Sequence, residues 1–308
     1  MDKVVTLTLN PALDVATSIH SVAPEIKLRC AAPGFHPGGG GINVSRAIRF
    51  LGGESSAVYA AGGHNGAMLK RLLNNEEIDN HPIEIDGITR ENVVVYEEST
   101  GLQYRFTMPG PAMSADEWIA CLEALFNLEP AYIVASGSLP QGVPLEIYGE
   151  ITRYAREYGI RVILDTAGDA LNRAIGKGLF LLKPNLRELE RFAGETLPGE
   201  REIRAAGQRL IAEGLAKVRV VSLGAAGAAM ITSDECVFLR APIVPIRSKV
   251  GAGDSMVGGI VMGLAQGFEL IDAARLGVAA GSAAVMTAGT ELCRKEDAWR
   301  LYDEVSIS

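Results

Sequence analysis

Short runs of apolar and β-branched residues alternate along this chain with stretches in which apolar positions recur every three or four residues. The short runs predict strands at 4–9, 57–61, 132–136, 161–165, 179–183, 218–223, 228–232 and 236–239. Several, such as VVTLTL and RVVSL, are apolar at nearly every position, the pattern of strands buried between two helical layers. Between them, 42–51 sets Val44, Ala47, Ile48 and Leu51 on one stripe and ends at Gly52 and Gly53. Ser114 with Glu117 forms a capping box opening a helix that runs through 126. Further helices span 145–158, stopped by Gly159, and 201–213, stopped by Gly214. Strand, helix and strand joined by short links imply right-handed crossovers, hence an α/β protein with a mostly parallel central sheet.

Two stretches break the rhythm. Residues 11–33 are too polar for a central strand, and 90–108 read as a hairpin with Gly101 in its turn. Gln103, Arg105 and Thr107 alternate with Tyr104, Phe106 and Met108, as in a sheet with one wet face. The expectation is one domain, 1–308, carrying a small discontinuous β-subdomain inserted from about 12–35 and 90–108. An exposed apolar face on that subdomain suggests a homodimer.

Composition narrows the class. Over 308 residues, 48% hydrophobic content supplies a large core, and 21% charged content without low-complexity tracts argues against disorder. The net charge of −8, with no long basic run, speaks against nucleic acid as a partner. No apolar segment reaches membrane-spanning length, and the amino terminus lacks the basic and apolar blocks of a signal peptide. Cys30, Cys121, Cys236 and Cys293 are widely spaced without a CxxC, so reduced, buried thiols in a cytoplasmic protein are expected.

Four segments carry candidate chemistry. The first is Val250, Gly251, Ala252, Gly253, Asp254 and Ser255, preceding an almost purely apolar helix. A buried helix start presents unpaired N–H groups and partial positive charge, which suits a transferring phosphoryl group. Asp254 beside that group could accept a proton from an attacking hydroxyl; the bland alternative is a helix cap. The second is Lys183, Asn185 and Glu188 at the carboxyl end of a strand, where ligands of parallel sheets bind. Asn185 and Glu188 also fit a capping box, while Glu188 could hold Mg²⁺ through water. The third is four consecutive glycines, 38–41, before Asn43, better explained by close passage over a ligand than by structure alone. It is neither a dinucleotide fingerprint nor a phosphate-binding P-loop. The fourth, Ser222, Gly224 and Gly227, reads as a tight turn, an ordinary hairpin being its simplest explanation. The four histidines are scattered without a nucleophile elbow, and Trp118 and Trp299 fall on helical packing faces.

In this order the segments resemble the ribokinase-like (PfkB-type) carbohydrate kinases, through TLNPALD, PGGGGINVSRAIRFLGG, SGSLPQGV, LLKPNLRELE, VVSLGAAGA and VGAGDSMVGG. The resemblance covers essentially the whole chain and implies an αβα sandwich with a β-sheet lid, through which many members dimerise. It implies Asp254 as catalytic base and Gly251, Ala252 and Gly253 as anion hole. It implies Asp14, Gly39, Gly40, Asn43 and Ser138 as sugar contacts, with Arg90 and Arg105 as clamps on a substrate phosphate. Lys183, Asn185, Ser222, Gly224 and Gly227 match nucleotide positions, and Glu188 the Mg²⁺-associated one. Lys27 could reach a nucleotide or a neighbouring subunit, or remain a solvated surface lysine. Ser248, Val250, Ala284 and Gly289 match a K⁺ site, although Thr287 and Ala288 replace the usual Asn-Gln and Glu291 a usual basic residue. Gly40, where the 1-phosphofructokinase and tagatose-6-phosphate kinase branches carry Lys, leans toward the minor 6-phosphofructokinases. The implied activity is ATP- and Mg²⁺-dependent phosphorylation of fructose 6-phosphate at its 1-hydroxyl. Fructose 1-phosphate, tagatose 6-phosphate, another sugar, or non-catalytic binding are the alternatives.

Overall fold

The protein, described here by a computed structural model covering every residue except Leu215, is built on a ten-stranded sheet. From one edge the strands run Ser306–Ile307, Cys236–Arg240, Ala228–Ile231, Val218–Ser222, Leu181–Leu182, Arg161–Asp165, Tyr132–Ser136, Val4–Thr8, Ser56–Ala61 and Asp79–Glu84. The run from Val218–Ser222 to Asp79–Glu84 is parallel throughout, and the other three strands pair antiparallel. Every residue of Val4–Thr8 and Tyr132–Ser136 is buried, as two-sided apolar runs require. Helices cover both faces, giving the αβα sandwich that the alternation predicts.

The predicted boundaries hold within a residue or two for the helices Gly40–Leu51, Ala115–Asn127, Ile147–Glu157 and Glu200–Ala212. Gly52 closes the first in a left-handed conformation (φ 94°), and Ser114 and Glu117 form the reciprocal capping box. The predicted strand 179–183 shrinks to Leu181–Leu182. Asp79–Glu84 was not predicted, because DNHPIE has no apolar periodicity; it lies at the sheet edge, where Pro82 is tolerated.

The helix that carries the candidate anion site, Ala252–Ala265, is buried from Ser255 onward. Glycines bring its neighbours into backbone contact. A Cβ on Gly258 would come 2.7 Å from Ala47 in the 40–51 helix, and one on Gly259 would come 2.7 Å from the Leu276 carbonyl in helix Leu270–Val285. These contacts set the depth and direction at which its amino end meets the sheet.

A second, four-stranded sheet comprises, in order, Gly34–Gly38, Ala12–Ile19, Arg90–Glu97 and Leu102–Phe106. The hairpin and its Gly101 turn (φ 72°) match the sequence reading. The first insertion runs further than 12–35, since its return strand ends at Gly38 and feeds directly into the 40–51 helix. Phe106 and Met108 are exposed, the apolar lid face expected from the sequence. Cys30 is likewise exposed, while Cys121, Cys236 and Cys293 are buried, and all four are free. No helix among the described residues is long and apolar enough to cross a membrane.

Candidate active site

The carboxyl ends of the parallel strands lead into Asn10, Ser138, Asp165, Lys183 and Ser222, along one edge of the sheet. Ligands of such sheets bind outside this edge. The amino end of the 252–265 helix closes against it.

Gly251 is the residue before that helix, at φ 74°, a left-handed conformation that only glycine adopts freely. A Cβ there would strike Leu292 Cδ2 at 2.4 Å. The first backbone bond is Ser255 N to Gly251 O at 2.8 Å, so the N–H groups of Ala252, Gly253 and Asp254 have no partner within the helix. A Cβ on Gly253 would meet only the Lys183 ammonium, 3.7 Å away, so Lys183 faces the helix start directly.

Asp254 does not cap the helix, which has no side-chain cap. Its Oδ2 instead accepts a hydrogen bond from Asn43 Nδ2 at 2.9 Å. Burial pushes its pKa up to about 6, helped by the charges of Asp165 and Asp14 and opposed by Asn43 and Lys183. A carboxyl group that releases its proton just below neutrality is matched to general-base work. Lys183 is itself buried and pairs with Asp165 Oδ1 at 3.1 Å. Burial disfavours its charge, yet Asp165, Asp254 and Glu188 outweigh that effect and hold the ammonium protonated.

Asp14 lies beside Asn92, which donates to its Oδ1 at 2.9 Å, and a Cβ on Gly38 would come 2.5 Å from its carboxylate. Burial raises its pKa against the pull of Asn92, Arg90, Arg105 and Arg46. Arg90 and Arg105 thus both act on Asp14, but differently. Arg90 donates to the carbonyls of Pro11 (3.3 Å), Met108 (3.0 Å) and Asn10 (2.9 Å), stapling the second sheet to the main one. Arg105 stands exposed on its strand. Ser138 accepts from Asn10 Nδ2 at 3.0 Å.

The glycine run packs closely against its neighbours on the side where side chains would stand, while Gly39 and Gly40 stay part-exposed. A Cβ on Gly39 would meet Thr8 at 2.7 Å, on Gly40 the Ser136 hydroxyl at 2.2 Å, and on Gly41 the Leu7 carbonyl at 2.6 Å. On the nucleotide side, Asn185 and Glu188 form the reciprocal capping box, at 3.0 and 2.8 Å, of helix Leu186–Ala193. This leaves one Glu188 oxygen uncommitted. Asn185 bridges to Ser222, and Gly224 and Gly227 shape the turn between strands 218–222 and 228–231. Lys27 lies exposed on the segment joining two strands of the second sheet.

Ser248 donates to the Gly289 carbonyl at 2.7 Å, Val250 N donates to Ser248 Oγ at 3.2 Å, and Thr287 donates to the Ala284 carbonyl at 2.8 Å. The segment bearing Ser248 and Val250 is thus tied to the end of helix Leu270–Val285 and the Gly289 turn, with the Ala284 and Gly289 carbonyls already accepting hydrogen bonds. Among the described residues no three His, Cys, Asp or Glu side chains gather as a metal cluster. A divalent ion here would draw its oxygens chiefly from nucleotide phosphates, with Glu188 within reach of one of its waters.

Sequence reasoning passed over Asp165, Asn10 and Arg46. Asp165 carried a usable signal, as the polar last residue of a predicted apolar strand at the ligand-binding edge.

The pattern of the pfkB family carbohydrate kinases matches residues 4–297. ATP-dependent 6-phosphofructokinase isozyme 2 of Escherichia coli (strain K12) is 44% identical over 308 residues, 99% of this chain and 100% of that one. A crystal structure of Escherichia coli phosphofructokinase-2 in complex with potassium superposes with a TM-score of 0.95 at 44% identity, covering 99% of both chains. The tetrameric inhibited form of that enzyme superposes at 0.93 and 43% identity, again covering 99% of both chains. By pattern, sequence and fold, the chain belongs to the pfkB family of carbohydrate kinases.

Proposed function

We propose that this protein transfers the γ-phosphoryl group of ATP to the 1-hydroxyl of fructose 6-phosphate. The observation that carries the reading is Asp254, which stands inside the first turn of a buried helix without capping it, between Asn43 and Lys183. Asp254 accepts the hydroxyl proton as the oxygen attacks. The free N–H groups of 252–254 and the Lys183 ammonium face the charge that develops on the moving phosphoryl group. Asp14 and Asn43 hold the sugar, Arg105 meets its existing phosphate, and Arg90 keeps the second sheet in place over it. Lys183, Asn185, Ser222, Gly224 and Gly227 border the nucleotide. Mg²⁺, when bound with ATP, supplies charge neutralisation, and Glu188 would orient one of its waters. K⁺ would be held by the carbonyls of the 248–250 and 284–289 loops.

The substrate assignment rests on the 6-phosphofructokinase relative and on Gly40. A Cβ there would come 2.2 Å from the Ser136 hydroxyl and 3.0 Å from the Gly137 nitrogen, so the lysine of the 1-phosphofructokinase branch would require these neighbours to shift. A kinetic panel of fructose 6-phosphate, fructose 1-phosphate, tagatose 6-phosphate and unphosphorylated sugars tests it; preference for any other acceptor overturns it. Asp254→Asn should lower kcat by roughly 10²–10⁴-fold with sugar-phosphate affinity nearly intact. Turnover near the wild-type rate in that variant would sink the base assignment.

We also propose a cytoplasmic homodimer formed through the second sheet, the lid, where Phe35, Tyr96, Leu102 and Phe106 are exposed. Sedimentation at micromolar concentration should show a dimer that Phe106→Asp weakens. A wild-type monomer, or an assembly untouched by that change, argues against this surface.

A further inference from the structure

Among the described residues the Asn43 amide is the one neutral hydrogen-bonding partner of the Asp254 side chain, and its own orientation needs an explanation. A primary amide is nearly symmetric in shape, so packing alone does not distinguish its oxygen end from its nitrogen end. Turned one way, Asn43 donates to the Asp254 carboxylate. Turned the other way, it points a carbonyl oxygen at that carboxylate and repels it.

Arg46, one turn further along the same helix, separates the two states. It is buried, at 3% exposure, and most of its donors are committed. Nε and one terminal nitrogen grip Glu76 through both carboxylate oxygens, at 2.6 and 2.7 Å. The other terminal nitrogen donates to the Pro37 carbonyl at 3.2 Å and to Asn43 Oδ1 at 3.4 Å. Glu76 caps the end of helix Gly63–Asn75, so the clamp ties three parts of the chain together. With a guanidinium on one side and a carboxylate on the other, a turned amide would place NH₂ against a cation and oxygen against an anion. The line of contact runs Glu76, Arg46, Asn43, Asp254.

We propose that Arg46, held by Glu76, is a positioning residue that locks the Asn43 amide with its NH₂ group on the catalytic carboxylate. The inference rests on the reading of Asp254 as the base. The charges acting most strongly on Asp254 come from elsewhere: Asp165 and Lys183 at the sheet edge and Asp14 on the second sheet. The contact by which Arg46 reaches Asp254 is the Asn43 amide. Loss of the lock removes a charge-assisted hydrogen bond from the ionised base, so the base holds its proton to higher pH.

The test is the pH profile of kcat/KM on fructose 6-phosphate with MgATP, using the full chain. Asn43→Ala and Arg46→Met should each move the acid limb up by about one pH unit. The double variant should move it no further than Asn43→Ala alone. Arg46→Lys keeps the charge without the fork and should shift the limb nearly as far as Arg46→Met, so it serves if the methionine variant does not fold. Glu76→Gln should shift it less, in the same direction. An unmoved acid limb in the Arg46 variants overturns the proposal, and so do shifts that add in the double variant, since Arg46 would then act by charge alone. Asp254→Asn, measured alongside, keeps the two readings apart: if it remains active the base assignment falls first, and if it is dead while Arg46→Met leaves the limb in place only the lock falls.

Discussion

Asp254 is held charged in a place that disfavours its charge, and two measurements follow from that conflict. Its folded pKa of about 6 lies above the ordinary carboxylate value of 3.8. The sign is therefore the reverse of a salt-bridged aspartate: the contribution to stability is present below the unfolded pKa and is lost as pH rises through 6. At neutral pH the penalty approaches ~3 kcal/mol. Asp254→Asn should thus raise the melting temperature at pH 7.5 while it sharply lowers turnover, with the stability gain vanishing near pH 4; a variant that melts earlier at pH 7.5 contradicts the burial argument. The acid limb of kcat/KM should fall near pH 6 in the wild type. Lys183→Met should act oppositely on stability. It leaves Asp165 half-buried without its cation, at roughly 3–5 kcal/mol, which urea denaturation would register. Arg219 offers a contrasting case: it is fully buried in the strand 218–222, no described residue accepts a hydrogen bond from its guanidinium, and burial lowers its pKa to about 10. Arg219→Met is expected to stabilise the fold by ~1–4 kcal/mol. Asp254 was legible as a chemical residue in GAGDS, but the choice between cap and base was not. That depended on whether its side chain turned back to the helix or out to Asn43, a matter of neighbours 211 positions away.

At the scale of elements, the glycines divide into those that shape backbone and those that make room. Gly227 does both: its φ is 100° and a Cβ would lie 1.9 Å from the Leu239 carbonyl, a backbone atom that cannot step aside. Gly227→Ala should destabilise by at least ~1–3 kcal/mol in urea, more than Gly224→Ala, where φ is positive but the space is open. Residues 38–41 looked from the sequence like a ligand-facing loop, because a run of glycine gives no side chain from which to read a neighbour. The structure supplies the neighbours on the side-chain side, Asp14, Thr8, Ser136 and Leu7, which explain why glycine is needed there whether or not a ligand passes the other face. Helix Leu270–Val285 was invisible for a related reason. It is almost entirely buried and rich in alanine and glycine, so it lacks the apolar stripe that marks a surface helix. Helices with a stripe or a capping box, such as 40–51 and 115–127, were readable to within a few residues.

On the scale of the whole molecule, the site exists because two sheets and one buried helix meet. The main sheet presents Asp165 and Lys183, the second sheet presents Asp14 and Arg105, and the 252–265 helix brings Asp254 between them. The second sheet is joined to the first through Arg90 and its three carbonyl partners, so Arg90→Ala should raise the KM for the sugar phosphate more than it lowers kcat, as expected when a support of binding is removed. A fall in kcat with KM unchanged would instead place Arg90 in the chemical step. By itself the sequence determined the α/β class, the parallel core, the inserted hairpin and the segments bearing the chemistry, because hydrophobic periodicity, capping boxes and glycine turns are local properties that travel with the residues. Only the tertiary structure decided that Asp254 answers to Asn43 rather than to its own helix, that Asp165 stands opposite Lys183, and that Arg46 and Glu76 reach the site at all. Those facts are distances between residues far apart in the chain, and a distance of that kind comes into being only when the core closes and fixes which ends meet.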